Sequence, residues 1–131
     1  MFTCPIRVYY EDTDAGGVVY HSQYLNFMER ARTEWLRSVG LAQSSLRIEE
    51  RILFVVHSMQ LQFKKPARLD DSLQVVSSLS EMGRGSFVCR QQIMRDAQVL
   101  IEAQVKVACV DAETFKPTAI PARIKQALEC S

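Results

Sequence analysis

The spacing of apolar positions changes along the chain, and this change predicts a helix in the first third and a sheet after it. Between residues 24 and 39, apolar side chains recur every three or four positions, the spacing of one helix face. These are Tyr24, Phe27, Met28, Ala31, Trp35, Leu36 and Val39. The charged residues between them are expected on the opposite, solvated face: Glu29, Arg30, Arg32, Glu34 and Arg37. We expect this helix to begin near residues 21–23, with Ser22 as its N-cap, and to end at Gly40.

Strand patterns precede and follow this helix. Residues 6–10 are short, β-branched and aromatic, as strands are, and a weaker helical pattern covers residues 41–51. Four apolar segments joined by short turns come next: 52–63, 73–79, 87–94 and 99–109, the last alternating strictly with period two. Short turns imply antiparallel pairing. The pattern predicts an α+β fold with an antiparallel sheet packed on one long helix, and its uncovered edges predict a dimer.

Composition excludes several classes of protein. The chain has 131 residues with a formal net charge of +1, which suits one domain over residues 1–131 and leaves no basic footprint for nucleic acid. No apolar run approaches the roughly 18–20 residues of a membrane span, and residues 1–7 lack the pattern of a secretory signal. The four cysteines are scattered without a C-x-x-C pair, so we expect no metal site and reduced thiols in the cytoplasm.

The loop before the long helix is the most informative segment for chemistry. It carries the carboxylates Glu11, Asp12 and Asp14 next to the glycines Gly16 and Gly17. Backbone N–H groups in a helix's first turn are unpaired and partly positive, so they can stabilise an oxyanion. A neighbouring carboxylate can act as general base or nucleophile. The loop fits acyl transfer, although on local features alone helix capping is the commoner role for such acidic residues.

Histidine and arginine add further candidates. His21 lies at the expected helix start, where its ring can orient a substrate; a packed aromatic ring is the alternative. His57 lies in an apolar strand and is interpreted as structural. With two histidines in the chain, a Ser-His-Asp arrangement is hard to build. Arg84 stands in the glycine-flanked turn 82–86, where a guanidinium suits a phosphate, although an exposed hairpin charge is the more frequent explanation.

The loop and helix together resemble a known family. Residues 8–21, VYYEDTDAGGVVYH, followed by Tyr24 and by residues 29–34, ERARTE, resemble the 4-hydroxybenzoyl-CoA thioesterase family of hotdog-fold proteins. Within that family the chain is most similar to the Tol-Pal-associated bacterial acyl-CoA thioesterases. The resemblance runs from about residue 7 to beyond residue 117 and includes residues 66–71.

The resemblance implies a hotdog fold, in which an antiparallel sheet of about five strands wraps around the long helix. It also implies that sheets pair across two subunits, with active sites at the dimer interface. Asp14 would be the catalytic carboxylate, and the backbone N–H of His21 would polarise the thioester carbonyl. The implied substrate-binding residues are Gly16, Gly17, Tyr20, Arg84 and Ser86. Gly83 and Gly85 stand where some relatives carry basic residues, so the nucleotide contacts depart from the family pattern here.

The implied function is hydrolysis of an acyl-CoA thioester to a free acid and CoA, with no metal and no cofactor beyond the CoA of the substrate. The expected partners are acyl-CoA and further copies of the chain, as a homodimer or homotetramer. Acyl carrier protein is a further candidate partner, and peripheral association with the inner membrane stays open. One alternative is a thioester- or carrier-protein-binding module of a membrane-biogenesis complex with little turnover. A hotdog hydratase ranks last, because the loop lacks the spacing expected for one.

Overall fold

The computed structural model describes residues 1–131 and contains five strands and three helices. They follow in the order β1 Phe2–Arg7, α1 Gln23–Ser38, α2 Gln43–Ser45, β2 Ile52–Phe63, β3 Ser72–Met82, β4 Ser86–Arg95, β5 Gln98–Asp111 and α3 Ala122–Glu129. A 3₁₀ turn, Tyr10–Asp12, follows β1, and α2 continues as a π-helical turn, Leu46–Glu50. None of the helices combines the length and the apolar character needed to span a membrane.

The five strands form one antiparallel sheet in the order β1-β3-β4-β5-β2. Inward-facing side chains of the central strands alternate along each strand and are fully buried, as Cys89 and Ile93 in β4 and Val105 and Cys109 in β5 show. The predicted antiparallel sheet on one long helix is therefore confirmed, with two buried cysteines acting as small core residues.

Helix α1 buries the face that its apolar spacing predicts, from Tyr24 to Leu36. The helix ends as predicted, because Gly40 has a φ of +80°, a backbone angle that residues with a side chain rarely adopt. The Leu41 N–H then donates to the Leu36 carbonyl at 2.8 Å, closing the last turn. Ser22 occupies the N-cap position, but its hydroxyl makes no capping hydrogen bond.

Strand β1 lies earlier than residues 6–10, so that prediction of the first strand was wrong in its bounds. The sheet takes up Phe2–Arg7, where Pro5 is tolerated because β1 is an edge strand. The chain leaves the sheet at Val8, whose N–H donates to the Asp71 carbonyl at 3.0 Å. The aromatic residues that follow belong to the loop, because the Asp12 carboxylate accepts the Tyr9 N–H and sets up the 3₁₀ turn.

The two edges of the sheet differ in how they are protected. Strand β1 is short and carries Pro5, which blunts it against pairing with another chain. Strand β2 is twelve residues long, has no proline and pairs only with β5. A bulge at His57 interrupts its register, and Val56 and Phe63 are 46% and 57% exposed. An edge this long and apolar is suited to cover by another strand.

Candidate active site

The loop that carries Asp14 is a tight turn, closed by hydrogen bonds between its own backbone groups. The Asp14 N–H donates to the Val18 carbonyl at 2.9 Å, and the Gly17 N–H donates to the Asp14 carbonyl at 3.1 Å. Gly17 has a φ of +79°, which explains why glycine stands there. The Asp14 side chain is exposed; its Oδ1 accepts the Gly16 N–H at 2.8 Å. Its Oδ2 has no donor in the chain and is free to accept a proton or attack a carbonyl.

The three carboxylates of this loop have different environments. Asp12 is 8% exposed; its Oδ2 accepts the Tyr9 N–H at 2.8 Å, and its carbonyl accepts the Tyr20 N–H at 3.0 Å. Asp12 therefore holds the loop against the segment that leads into α1. Glu11 is exposed and makes no hydrogen bond. Asp14 is left as the one exposed carboxylate of the three that accepts a hydrogen bond through one oxygen while its other oxygen stays open.

The turn at residues 66–71 fixes the loop to the sheet and to α1. The Val19 N–H donates to the Ala67 carbonyl at 2.8 Å, and the buried Ala67 N–H donates to the Tyr24 hydroxyl at 3.0 Å. Asp71 closes the turn by accepting the Arg68 N–H at 2.8 Å and Arg95 Nη1 at 2.7 Å. Partial burial opposes ionisation of Asp71, but these donors outweigh it and hold its pKa below the usual range.

The start of α1 presents His21 to solvent. The His21 ring packs beside that of Tyr20, with 4.4 Å between ring centroids. The backbone N–H of His21 has no hydrogen-bond partner within the chain, since the first helical bond in this segment runs from the Gln23 N–H to the Tyr20 carbonyl. His21 lines a shallow cleft with Tyr24 and Phe63. That N–H is therefore a free donor at the positive end of the helix.

Asp14 and His21 line two separate clefts in a single chain. Asp14 shares its cleft with Tyr10 and Leu69, among others, whereas the cleft of His21 reaches Pro66. Both clefts adjoin the turn at residues 66–71, so they open on the same end of the sheet. Gly16, Gly17 and Tyr20, predicted to bind substrate, are exposed at this end.

The structure places the other predicted binding residues at the opposite end of the sheet. Arg84 is exposed in the β3–β4 turn, and its carbonyl accepts the Ile120 N–H at 2.8 Å. Ser86 begins β4. Strand β3 connects residue 71 at one end of the sheet to this turn at the other end. At the usual rise per residue the strand is about 33 Å long. One chain therefore does not bring Arg84 and Ser86 together with Asp14.

A buried polar network in the core is absent from the sequence-based predictions. Arg32 was assigned to the solvated face of α1, but it is 9% exposed, so that assignment was wrong. Its Nη1 donates to Oε1 of the fully buried Gln91 at 2.9 Å. Gln91 Nε2 in turn donates to the Ser77 hydroxyl at 2.9 Å and to the Met28 carbonyl at 3.0 Å. The available signal was Gln91 itself, a polar residue at an inward position of an alternating strand.

Arg32 also lines a cavity of about 330 Å³ between α1 and the sheet. Its apolar wall comes from residues of α1, β2, β4 and β5: Trp35, Leu36, Phe54, Val55, Val56, Phe87 and Val107. The cavity lies at the Arg84 end of the sheet, because Val56 pairs with Val107 and Val107 pairs with Phe87. No three His, Cys, Asp or Glu side chains lie close enough together to hold a metal ion.

Comparison with known proteins decides the family. The model of the thioesterase-like superfamily matches residues 8–128. The chain belongs to this superfamily. The predicted hotdog family and fold are thereby confirmed, and the five-stranded antiparallel sheet is that of hotdog-fold thioesterases.

Individual members of the thioesterase-like superfamily are similar over nearly the whole chain. The acyl-CoA thioesterase YbgC of Haemophilus influenzae is 48% identical over 126 residues, covering 96% of this chain and 93% of the relative. A 1,4-dihydroxy-2-naphthoyl-CoA hydrolase from Synechocystis is 32% identical, covering 92% and 88%. The crystal structure of a probable thioesterase from Bartonella henselae superposes with a TM-score of 0.86 at 36% identity, covering 91% and 98%. The prediction that the chain is a thioester hydrolase is confirmed.

Proposed function

We propose that this protein hydrolyses acyl-CoA thioesters to free acids and CoA, with Asp14 as the catalytic carboxylate. The observation that carries the proposal is that two polar groups without hydrogen-bond partners lie at the same end of the sheet. One is Asp14 Oδ2, which has no donor, and the other is the His21 backbone N–H, which has no acceptor. Similarity to a thioesterase named for acyl-CoA, at 48% identity, supports the substrate class.

The chemistry follows from these two groups. A thioester carbonyl at the start of α1 accepts the His21 N–H, where the helix dipole adds about half a positive charge. Negative charge that develops on this oxygen is stabilised more than the neutral carbonyl, and one such donor contributes about 2.7–4 kcal/mol in the transition state. Asp14 attacks the carbonyl carbon directly, which breaks the C–S bond, releases CoA thiolate and gives a mixed anhydride that water then hydrolyses to the free acid and Asp14. Alternatively, Asp14 removes a proton from a water molecule that attacks the carbonyl carbon and displaces CoA thiolate, and this proton then passes to the thiolate. The Gly16 N–H holds the carboxylate in place during either step.

We further propose that a second copy of the chain completes the site through β2. When the β2 strands of two copies pair about a two-fold axis, they run antiparallel. The Asp14 end of one copy then lies beside the Arg84 end of the other. This arrangement brings Arg84 and Ser86 of the second copy toward Gly16, Gly17 and Tyr20 of the first. An exposed guanidinium without an ion pair suits a phosphate group of CoA.

A charged residue in the edge strand β2 tests this assembly. Val56→Glu is expected to dissociate the assembly in sedimentation equilibrium. Val76→Glu, which introduces the same charge in β3, is the control for general damage to the sheet.

Release of CoA thiol by the purified chain tests the proposed reaction. Turnover of acyl-CoA with the free acid as product supports a thioesterase, and Asp14→Asn removes the turnover. Binding without thiol release would replace the proposal with a thioester-binding module. A 3-hydroxyacyl-CoA product from an enoyl-CoA would replace it with a hydratase. His21→Ala keeps the backbone N–H, so a loss of activity in that variant would assign an additional role to the ring.

A further inference from the structure

The cavity beside Arg32 combines an apolar wall with an arginine that forms no ion pair. Its volume of about 330 Å³ lies at the lower end of the range for small-molecule sites. Along one side, the Phe87 ring packs edge to face with the rings of Trp35 and Phe54. The ring centroids are 6.2 Å apart for Trp35 and Phe87 and 5.4 Å apart for Phe54 and Phe87. Such walls suit a short hydrocarbon or aryl group.

Arg32 has no carboxylate partner in the chain. Its single side-chain hydrogen bond goes to the neutral oxygen of Gln91, which leaves the Nε and Nη2 donors without an acceptor in the chain and open to the cavity. Glu29, one turn earlier on α1, is the one acidic residue that lines the cavity. It is exposed and forms no ion pair with Arg32, although its charge acts on the guanidinium from a longer distance and partly opposes the lowering of its pKa. The thiol of Cys89, whose pKa burial raises to about 12, stays neutral and supplies no negative charge.

A buried arginine without a counter-ion is unfavourable for folding. Desolvation of a single charge costs several kcal/mol unless a partner compensates it, and burial lowers the pKa of this guanidinium. The guanidinium still stays protonated, because arginine side chains are not deprotonated in proteins. A planar guanidinium with two free donors binds a carboxylate through paired hydrogen bonds better than any neutral group. The missing partner is therefore best supplied by a ligand.

We propose that the cavity binds the distal end of the acyl group and that Arg32 selects acyl-CoA substrates whose acyl chain ends in a carboxylate. This inference rests on the proposed thioesterase function and names its substrate class. The hydrocarbon part of such an acyl group contacts the aromatic wall, and its terminal carboxylate pairs with the free donors of Arg32. Gln91 keeps the guanidinium turned toward the cavity.

Antiparallel pairing of β2 explains how the acyl group reaches this cavity. Within one chain, His21 and Arg32 are separated along the axis of α1 by about 16 Å, at 1.5 Å per residue. If β2 pairs with its copy along its full length, Phe54 of one copy lies opposite Leu61 of the other. The cavity of the second copy then adjoins the cleft of His21 and Phe63 in the first. The thioester is cleaved at one subunit while the acyl end occupies the other.

Matched pairs of substrates test the selection. We expect the wild-type protein to hydrolyse glutaryl-CoA and adipyl-CoA with a higher kcat/KM than valeryl-CoA and hexanoyl-CoA. Arg32→Gln should lower the ratio within each pair at least tenfold and leave the methyl-ended substrates less affected. Arg30→Gln is the matched control, because Arg30 is an exposed arginine on the same helix and does not line the cavity.

Fluorescence of the protein's single tryptophan gives a second readout that requires no turnover. Trp35 lines the cavity, so a bound acyl end changes its emission. CoA thioethers with a terminal carboxylate should saturate this change at lower concentration than thioethers with a terminal methyl. Equal affinities in the wild-type protein, or an unchanged substrate ratio in folded Arg32→Gln, would overturn the selection by Arg32 and leave the thioesterase proposal intact. Absence of thiol release from every substrate would instead overturn the thioesterase proposal.

Discussion

Removal of the Gln91 side-chain amide is predicted to lower the free energy of unfolding, because two buried groups depend on its hydrogen bonds. Gln91→Leu keeps the size of the side chain and removes its amide. Arg32 Nη1 then loses its 2.9 Å acceptor and the Ser77 hydroxyl loses its 2.9 Å donor. The Met28 carbonyl, already paired within the helix, loses only a second donor.

The expected cost follows from these losses. A buried group left without its partner costs about 1–3 kcal/mol when neutral and more when charged. Because Arg32 borders a cavity that water can enter, we expect the loss from Gln91→Leu to be about 3 kcal/mol in the free energy of unfolding. That is a large part of the 5–15 kcal/mol typical of a folded domain. Adding Arg32→Met removes the unpaired charge, so the double variant should regain most of the loss.

Urea unfolding followed by far-ultraviolet circular dichroism measures these free energies, at one fixed protein concentration because association shifts the midpoint. The wild type, both single variants and the double variant form a cycle whose coupling term isolates the Arg32–Gln91 interaction. A loss below about 1 kcal/mol for Gln91→Leu would refute the reasoning that Gln91 satisfies buried polar partners. A double variant no more stable than Gln91→Leu would refute the assignment of the cost to the unpaired guanidinium.

Three further predictions follow from the same structure. Tyr24→Phe leaves the buried Ala67 N–H unpaired and should lower the free energy of unfolding by about 1–3 kcal/mol in urea titrations, whereas Tyr9→Phe, at an exposed ring, should change it little. Asp71 has a lowered pKa in the folded state, so its stabilisation is present above about pH 4 and disappears as the pH falls through the folded value. Asp71→Asn should therefore be less stable than wild type at pH 7, and a gap that did not narrow toward pH 3 would contradict this. Reaction with a thiol reagent should modify only Cys130 of the four cysteines in the native protein and all four after unfolding; fast reaction of a second thiol would contradict the burial of the others.

The sequence pattern correctly predicted those parts of the fold that depend only on residues close together in the chain. The buried face of α1 and its end at Gly40 follow from helical spacing and from the backbone freedom of glycine, neither of which depends on distant residues. The burial of Arg32 depends on Gln91, which is 59 positions away in the sequence. Helical spacing assigns every charged residue between apolar positions to the surface, so it has no means of detecting this partner.

The candidate site shows the same division. Composition alone marks the loop as acidic and glycine-rich, but only the fold separates the buried Asp12, which accepts the Tyr9 N–H, from the exposed Asp14. The location of Arg84 at the far end of β3 depends on sheet topology, which residue spacing does not report. The resemblance to a known family supplied the roles of these residues, and they stay predictions.

Turnover of acyl-CoA by Asp14→Asn is the most direct test of the account. This substitution keeps an oxygen that can accept the Gly16 N–H and removes the negative charge. Glu11→Gln is the matched control, because Glu11 is an exposed carboxylate of the same loop without hydrogen bonds. With circular dichroism and association state unchanged, we predict that kcat falls by about 10²–10⁴ in Asp14→Asn and stays near wild type in Glu11→Gln. Near-wild-type kcat in folded Asp14→Asn would contradict the assignment of Asp14 as the catalytic carboxylate.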